Sequence, residues 1–176
     1  MSAAPGAAPG ERIAPGWPER LRRALRGSPP RWPLGEALHP VAMAAVLVLV
    51  VNDWVLKPGA VGRAAPWLTG KLSDVAGLVF APLVATALVG LVVRRPLSRR
   101  RLVAALAVTA AVFVAVKLSS DAAATVAAAW ARLAPGARIV ADPTDLLALP
   151  ALAIAAWIGA DELRRIARER GGGGPG

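Results

Sequence analysis

The chain contains no cysteine. That absence excludes disulfides, thiolate metal centres and cysteine nucleophiles. Charge is also scarce. Asp, Glu, Lys and Arg make up 18% of 176 residues, where a soluble domain carries about 25%. No HExxH, GxSxG, phosphate-binding loop or zinc-ligand spacing occurs, so the common hydrolase, nucleotidase and zinc-site signatures are missing. No apolar segment with a small-residue cleavage site precedes residue 37, so a signal peptide is not expected. No basic face interleaved with aromatics is visible, which argues against nucleic acid as a partner.

What the chain has in abundance is apolar sequence, 56% of it, gathered into four blocks. They are 39–57, 71–93, 101–120 and 142–160. Each approaches the ~20 residues that a membrane-spanning helix needs. Lipid offers no partners for backbone polar groups, so such segments must be helical. The expected fold class is therefore all-α: an integral membrane bundle of four transmembrane helices over 37–162. A basic, disordered cytoplasmic tail (1–36) precedes it, and a basic, then Gly-rich tail (163–176) follows. Within the first tail, ERLRRALRG (19–27) offers an alternative as a short helix on a lipid surface, with Trp17 and Leu21 inserted. Residues 121–134 are helical by propensity. They either extend the third helix or lie along the interface, with a break expected near Ser119–Asp121. Pro82 and Pro150 fall inside helical blocks and are expected to kink them.

The net charge of +10 rests on 18 arginines and three lysines. Fifteen arginines lie before the first block, between the second and third, and after the fourth. The other loops and block ends hold six basic residues: Lys57, Arg63, Lys71, Lys117, Arg132 and Arg138. Positive residues stay cytoplasmic. Both termini and the short middle loop are thus expected in the cytoplasm, with the bundle in the inner (plasma) membrane of a bacterium. Arginine over lysine, with abundant Ala, Gly and Pro, fits a GC-rich bacterial genome. Trp54, Trp67 and Trp130 fall near the outer boundary and Trp32 and Trp157 near the inner one, as interfacial belts do.

In that topology the polar residues of the blocks gather at one face. Asn52, Asp53 and Lys57 end the first block. Lys71, Ser73 and Asp74 open the second, Lys117 and Asp121 close the third, and Asp142 and Asp145 open the fourth. Charge inside a span is costly unless it meets a partner or water, so this collar is a candidate site. Plain capping competes with that reading. Asp142 suits an N-cap, with Pro143 at the first helical position and Asp145 in the first turn. Thr69 or Ser73 suits the start of the second helix, and Asp121 the segment after the third. Asp53 lies at a helix C-terminal end, where the macrodipole opposes an anion. Lys71 is a cation near an N-terminus, and Asp53 or Asp145 would relieve it. Gly77, Ala81 and Ala85 recur every fourth residue, as do Ala107, Ala111 and Ala115, a spacing that lets helices approach closely.

The stretch TGKLSDVAGL, with ND and K upstream and DPTDLLALP downstream, resembles a family of small multi-pass bacterial membrane proteins. That family shares a T-G-K-L-S-D-x-A-G-L signature and has no assigned activity. The resemblance covers about 39–158 and implies an integral membrane protein. A more distant likeness is to the VanZ-like family, also small and helical with polar residues at helix ends. The histidine expected there has no counterpart in the collar, and no residue is carried over.

Three functional readings follow. The collar is a structural ion-pair network in an accessory subunit, which implies a membrane-protein partner or a homo-oligomer beside the lipid bilayer. Alternatively, Asp53, Asp74 and Asp145 bind an ion or small molecule. Or the chain is a membrane enzyme for lipid-linked or phosphorylated substrates, with carboxylates on Mg²⁺. The D-x-x-D of 142–145 is a weak signal for the last. No cofactor and no metal site is expected from the sequence, and no catalytic residue is assigned.

Overall fold

The computed structural model describes residues 34–132 and 139–171; the 19–27 segment, Trp32 and most of the Gly-rich tail lie outside them. Among the described residues there are helices and no strands.

Helix α1 (Pro40–Val51) begins at His39, whose Nδ1 accepts from Val41 N–H at 3.2 Å, with Pro40 in the first helical position. Pro40 is compatible there because its missing N–H would have had no helical partner. The helix continues into a five-residue π turn (Asn52–Leu56), closed by Lys57 N–H on the Asn52 carbonyl at 2.8 Å. A short α2 (Ala60–Ala64) follows. Helix α3 (Pro66–Val93) is 28 residues long and starts with Pro66. It therefore starts five residues before the expected block, and Thr69 and Ser73 lie inside it rather than capping it. The polar opening turns interrupt hydropathy without interrupting the helix.

Helix α3 ends at Arg94, which adopts a left-handed conformation (φ 51°) while its N–H bonds the Gly90 carbonyl. Ser98 caps α4 (Arg99–Leu118), its hydroxyl accepting from Arg101 N–H at 3.3 Å. Ser119 is extended and caps α5 (Ser120–Trp130) by accepting from Ala122 N–H at 3.2 Å. The helix thus breaks at Ser119, and the cap is this serine rather than Asp121. Asp142 caps the last element by accepting from Thr144 N–H at 2.9 Å, and Pro143 follows it. That element opens as a nine-residue 3-10 stretch (Pro143–Ala151), long for this conformation. Pro150 lies at its end, and α6 (Leu152–Gly171) continues from there. Helix α6 runs well past residue 160, so the basic segment expected in the C-terminal tail is helical to Gly171.

Helix α3 is central and packs against α1, α4, the 3-10 stretch and α6. Its Leu78, Val79 and Leu83 meet Ala42 of α1, Leu102 of α4, and Ala148, Ala151, Ala155 and Ile158 of the last element in one core. Small residues bring the backbones close. A Cβ built on Gly159 would lie 2.5 Å from the Leu102 side chain, so α4 and α6 touch there through the missing methyl. The outer surfaces are apolar too. Leu47 is 63% exposed, Val92 84% and Val108 62%. A helix apolar on every side belongs in lipid or in a large core. Three helices, Pro66–Val93, Arg99–Leu118 and Pro143–Arg170, are long and apolar enough to cross a membrane. The Pro40–Leu56 segment is apolar but shorter. At 1.5 Å per residue it spans roughly 25 Å, against about 30 Å of hydrocarbon.

Candidate functional site

The polar side chains gather because C-terminal ends of α1 and α4 meet the N-terminal parts of α3 and the last element. Two linked sets result. In the first, Asn52 is fully buried. Its Nδ2 donates to the Thr69 carbonyl and to Ser73 Oγ, each at 2.7 Å, and reaches Asp53 Oδ1 at 3.5 Å. Ser73 Oγ donates to Asp53 Oδ1 at 2.9 Å. Lys57 pairs with the same oxygen at 2.6 Å. Both members of that pair are about 40% exposed, so the pair contributes only about 0.3–0.5 kcal/mol. It nonetheless supplies a cation to a carboxylate at an unfavourable helix end. The π turn carries Asn52 and Asp53 together onto α3.

The second set is more buried. Lys117 Nζ donates to Asp74 Oδ2 at 2.9 Å and Asp145 Oδ2 at 2.6 Å. It also lies 5.4 Å from the centroid of the Phe113 ring, at cation–π distance. The three charged side chains are only 10–17% exposed. Lys71 Nζ closes the set with 3.1 Å to Asp145 Oδ1, 3.0 Å to Thr144 Oγ1 and 3.2 Å to the Thr144 carbonyl. The relief expected for Lys71 therefore comes from Asp145, not Asp53. Two ammonium groups face two carboxylates, so the set is charge-balanced. Three helical elements are joined by one nitrogen.

No protein-family model, curated protein or solved structure matches the chain.

Two candidate residues stand apart from the collar. Asp121 is exposed on α5, where its carbonyl accepts from Thr125 Oγ1 at 2.8 Å. Asp142 is occupied as a cap. Both are placed by local helix-start geometry, so sharing the end of a block did not bring them to the site. Asp74 and Asp145 each spend an oxygen on Lys117. Among the described residues no three His, Asp or Glu side chains gather as a metal-binding group.

Beside the second set, a groove of about 430 Å³ opens between α3 and α4. Ser73 and Asp74 line one end, Ala81, Ala85, Val108 and Val112 its length, and Val126 of α5 adds to the wall.

A second polar cluster, not foreseen from the sequence, lies at the arginine-rich end. Glu36, expected in the disordered tail, is 1% exposed. Thr86 is fully buried, Glu162 is 3% exposed, and His39 packs edge-on against Trp157 at 5.5 Å. Glu162 receives Arg165 at 2.7 and 3.2 Å, and Arg165 also reaches Glu169 at 2.7 Å. Glu36 Oε1 is buried and has no hydrogen-bond partner among the described residues. Burial pushes the Glu36 carboxyl above its ordinary value. The Glu162 charge adds to that, while the hydrogen bonds and Arg101 oppose it. One pattern could have revealed part of this cluster: Ile158, Glu162 and Ile166 are spaced four apart and buried on one face.

Proposed function

We propose that this chain is a small inner-membrane protein of four spans whose Asp/Lys collar is an ion-pair clasp in a non-enzymatic, accessory role. The short Pro40–Leu56 segment serves as the first span. Its limited length is met by local bilayer thinning or by Lys57 reaching to the headgroups. The arginine-rich end faces the cytoplasm with both termini, and the collar faces outward. The resemblance of TGKLSDVAGL and its flanks to small multi-pass bacterial membrane proteins points the same way.

One observation carries the clasp: Lys117 is shared between Asp74 and Asp145, carboxylates from two other elements. These charges are occupied by one another, which suits a fixed arrangement better than a site awaiting a metal ion. Buried ion pairs add little net stability relative to apolar packing, yet removing one partner leaves an uncompensated charge. The expected consequence is non-additive. Lys117→Met, which leaves two carboxylates facing each other, should lower unfolding stability in detergent by about 3–5 kcal/mol. The triple change Asp74→Asn, Lys117→Met, Asp145→Asn should lose much less. A Lys117→Met protein as stable as the wild type, or a triple variant that loses the sum of its parts, would remove the clasp.

A further inference from the structure

We propose that the groove between α3 and α4 binds a long-chain amphiphile with a hydrogen-bond-donating, non-anionic head held by Asp74. The groove's lining is apolar along α3 and α4, apart from Thr109 on one wall and Ser73 and Asp74 at one end. From Asp74 to Ala85 it extends along about 16 Å of helix. Its volume of about 430 Å³ falls in the range of small-molecule pockets, about 300–1,000 Å³.

Charge decides the head. Asp74 is the sole ionisable side chain among the described residues that line the groove. Lys117 spends two of its three N–H donors on carboxylates, lies over the Phe113 ring and is not among the described residues lining the groove, so Asp74 is the charge that an incoming head meets first. Asp74 accepts from Lys117 through Oδ2, and a carboxylate has about four acceptor positions. An ammonium or hydroxyl head therefore finds an acceptor there, and a carboxylate or phosphate meets a like charge. Whole-molecule electrostatics would favour the reverse order, because the chain carries +10. A preference for cationic or neutral heads would thus report the groove itself.

Gly77 makes the proposal testable. It lines the groove, and a Cβ placed on it would meet nothing within 4 Å. Gly77→Leu should fill the groove and leave the fold intact. Ala85→Leu, on the same wall and exposed, is an independent second block. The probes are dodecylamine, dodecanol and dodecanoic acid, added to the full-length protein in phosphatidylcholine nanodiscs, whose headgroups carry no hydrogen-bond donor. The readout is the thermal unfolding midpoint against probe concentration. The amine and the alcohol should raise the midpoint saturably. The acid should need about tenfold more, the scale of one lost charge-assisted hydrogen bond. Either leucine variant should shift the amine's half-saturation upward by about tenfold or more while keeping the probe-free midpoint. Equal responses to all three heads would overturn the proposal, as would leucine variants that respond like the wild type. A dimer in light scattering that Gly77→Leu dissociates would instead give the groove to a second copy of the chain, and would equally overturn it.

Discussion

At the scale of single residues, the contrast lies between charges that meet and charges that do not. Asp53, Asp74 and Asp145 were legible as site candidates because each interrupts or opens an apolar block. Asp121 and Asp142 shared that pattern, yet Asp142 is taken up as a cap and Asp121 lies exposed in the first turn of α5. Spacing along a chain does not say which way a helix end turns. Glu36 was missed because a polar residue beside prolines reads as tail, whereas here it is buried against Thr86 and α6. Its raised carboxyl carries a pH signature. A carboxyl whose folded value lies above its unfolded value stabilises fully at low pH and loses that contribution as pH climbs from about 4.5 through the raised value. Stability should therefore fall with rising pH over that interval. Glu36→Gln, which cannot ionise, should flatten the fall and be the more stable protein at its upper end. Thermal unfolding from pH 4 to 8 checks this; parallel profiles for the two proteins would refute it.

At the scale of elements, the four apolar blocks appear as helices, but their ends moved. Helix α3 starts at Pro66, before the charged turn that seemed to begin it, because Lys71 and Asp74 find partners on neighbouring elements and need not lie outside the helix. The break at Ser119 was expected from length. The π turn and the long 3-10 stretch were not, since neither leaves a periodicity distinct from that of an α-helix over so few residues. Both flank the collar, where Asn52 must reach Thr69 and Ser73, and Asp145 must reach two lysines. Arg94 shows a different local cost. It is the one non-glycine residue among those described with a left-handed backbone. Glycine enters that region without steric penalty. Arg94→Gly should stabilise by up to about 1 kcal/mol in denaturant or thermal unfolding. A loss of that size would mean that the arginine side chain contributes more than its backbone costs.

At the scale of the whole molecule, the account depends on how the chain threads the bilayer. Three helices meet the length and hydropathy of a span, and the proposed fourth crossing would be the shorter α1 with its π turn. Its packing against α3 puts Asn52 and Asp53 beside Ser73, and the proposed topology, drawn from the distribution of arginines, puts this end outside. The absence of cysteine makes the decisive measurement clean, because any introduced thiol is the only one. Single replacements Ser2→Cys, Ala60→Cys and Arg95→Cys should be treated in intact cells with a membrane-impermeant maleimide. The account predicts labelling of Ala60→Cys from outside, and labelling of Ser2→Cys and Arg95→Cys only after permeabilisation. Ser2→Cys and Ala60→Cys reacting from the same side would show that α1 does not cross, and an externally reactive Arg95→Cys would invert the collar; either result contradicts it.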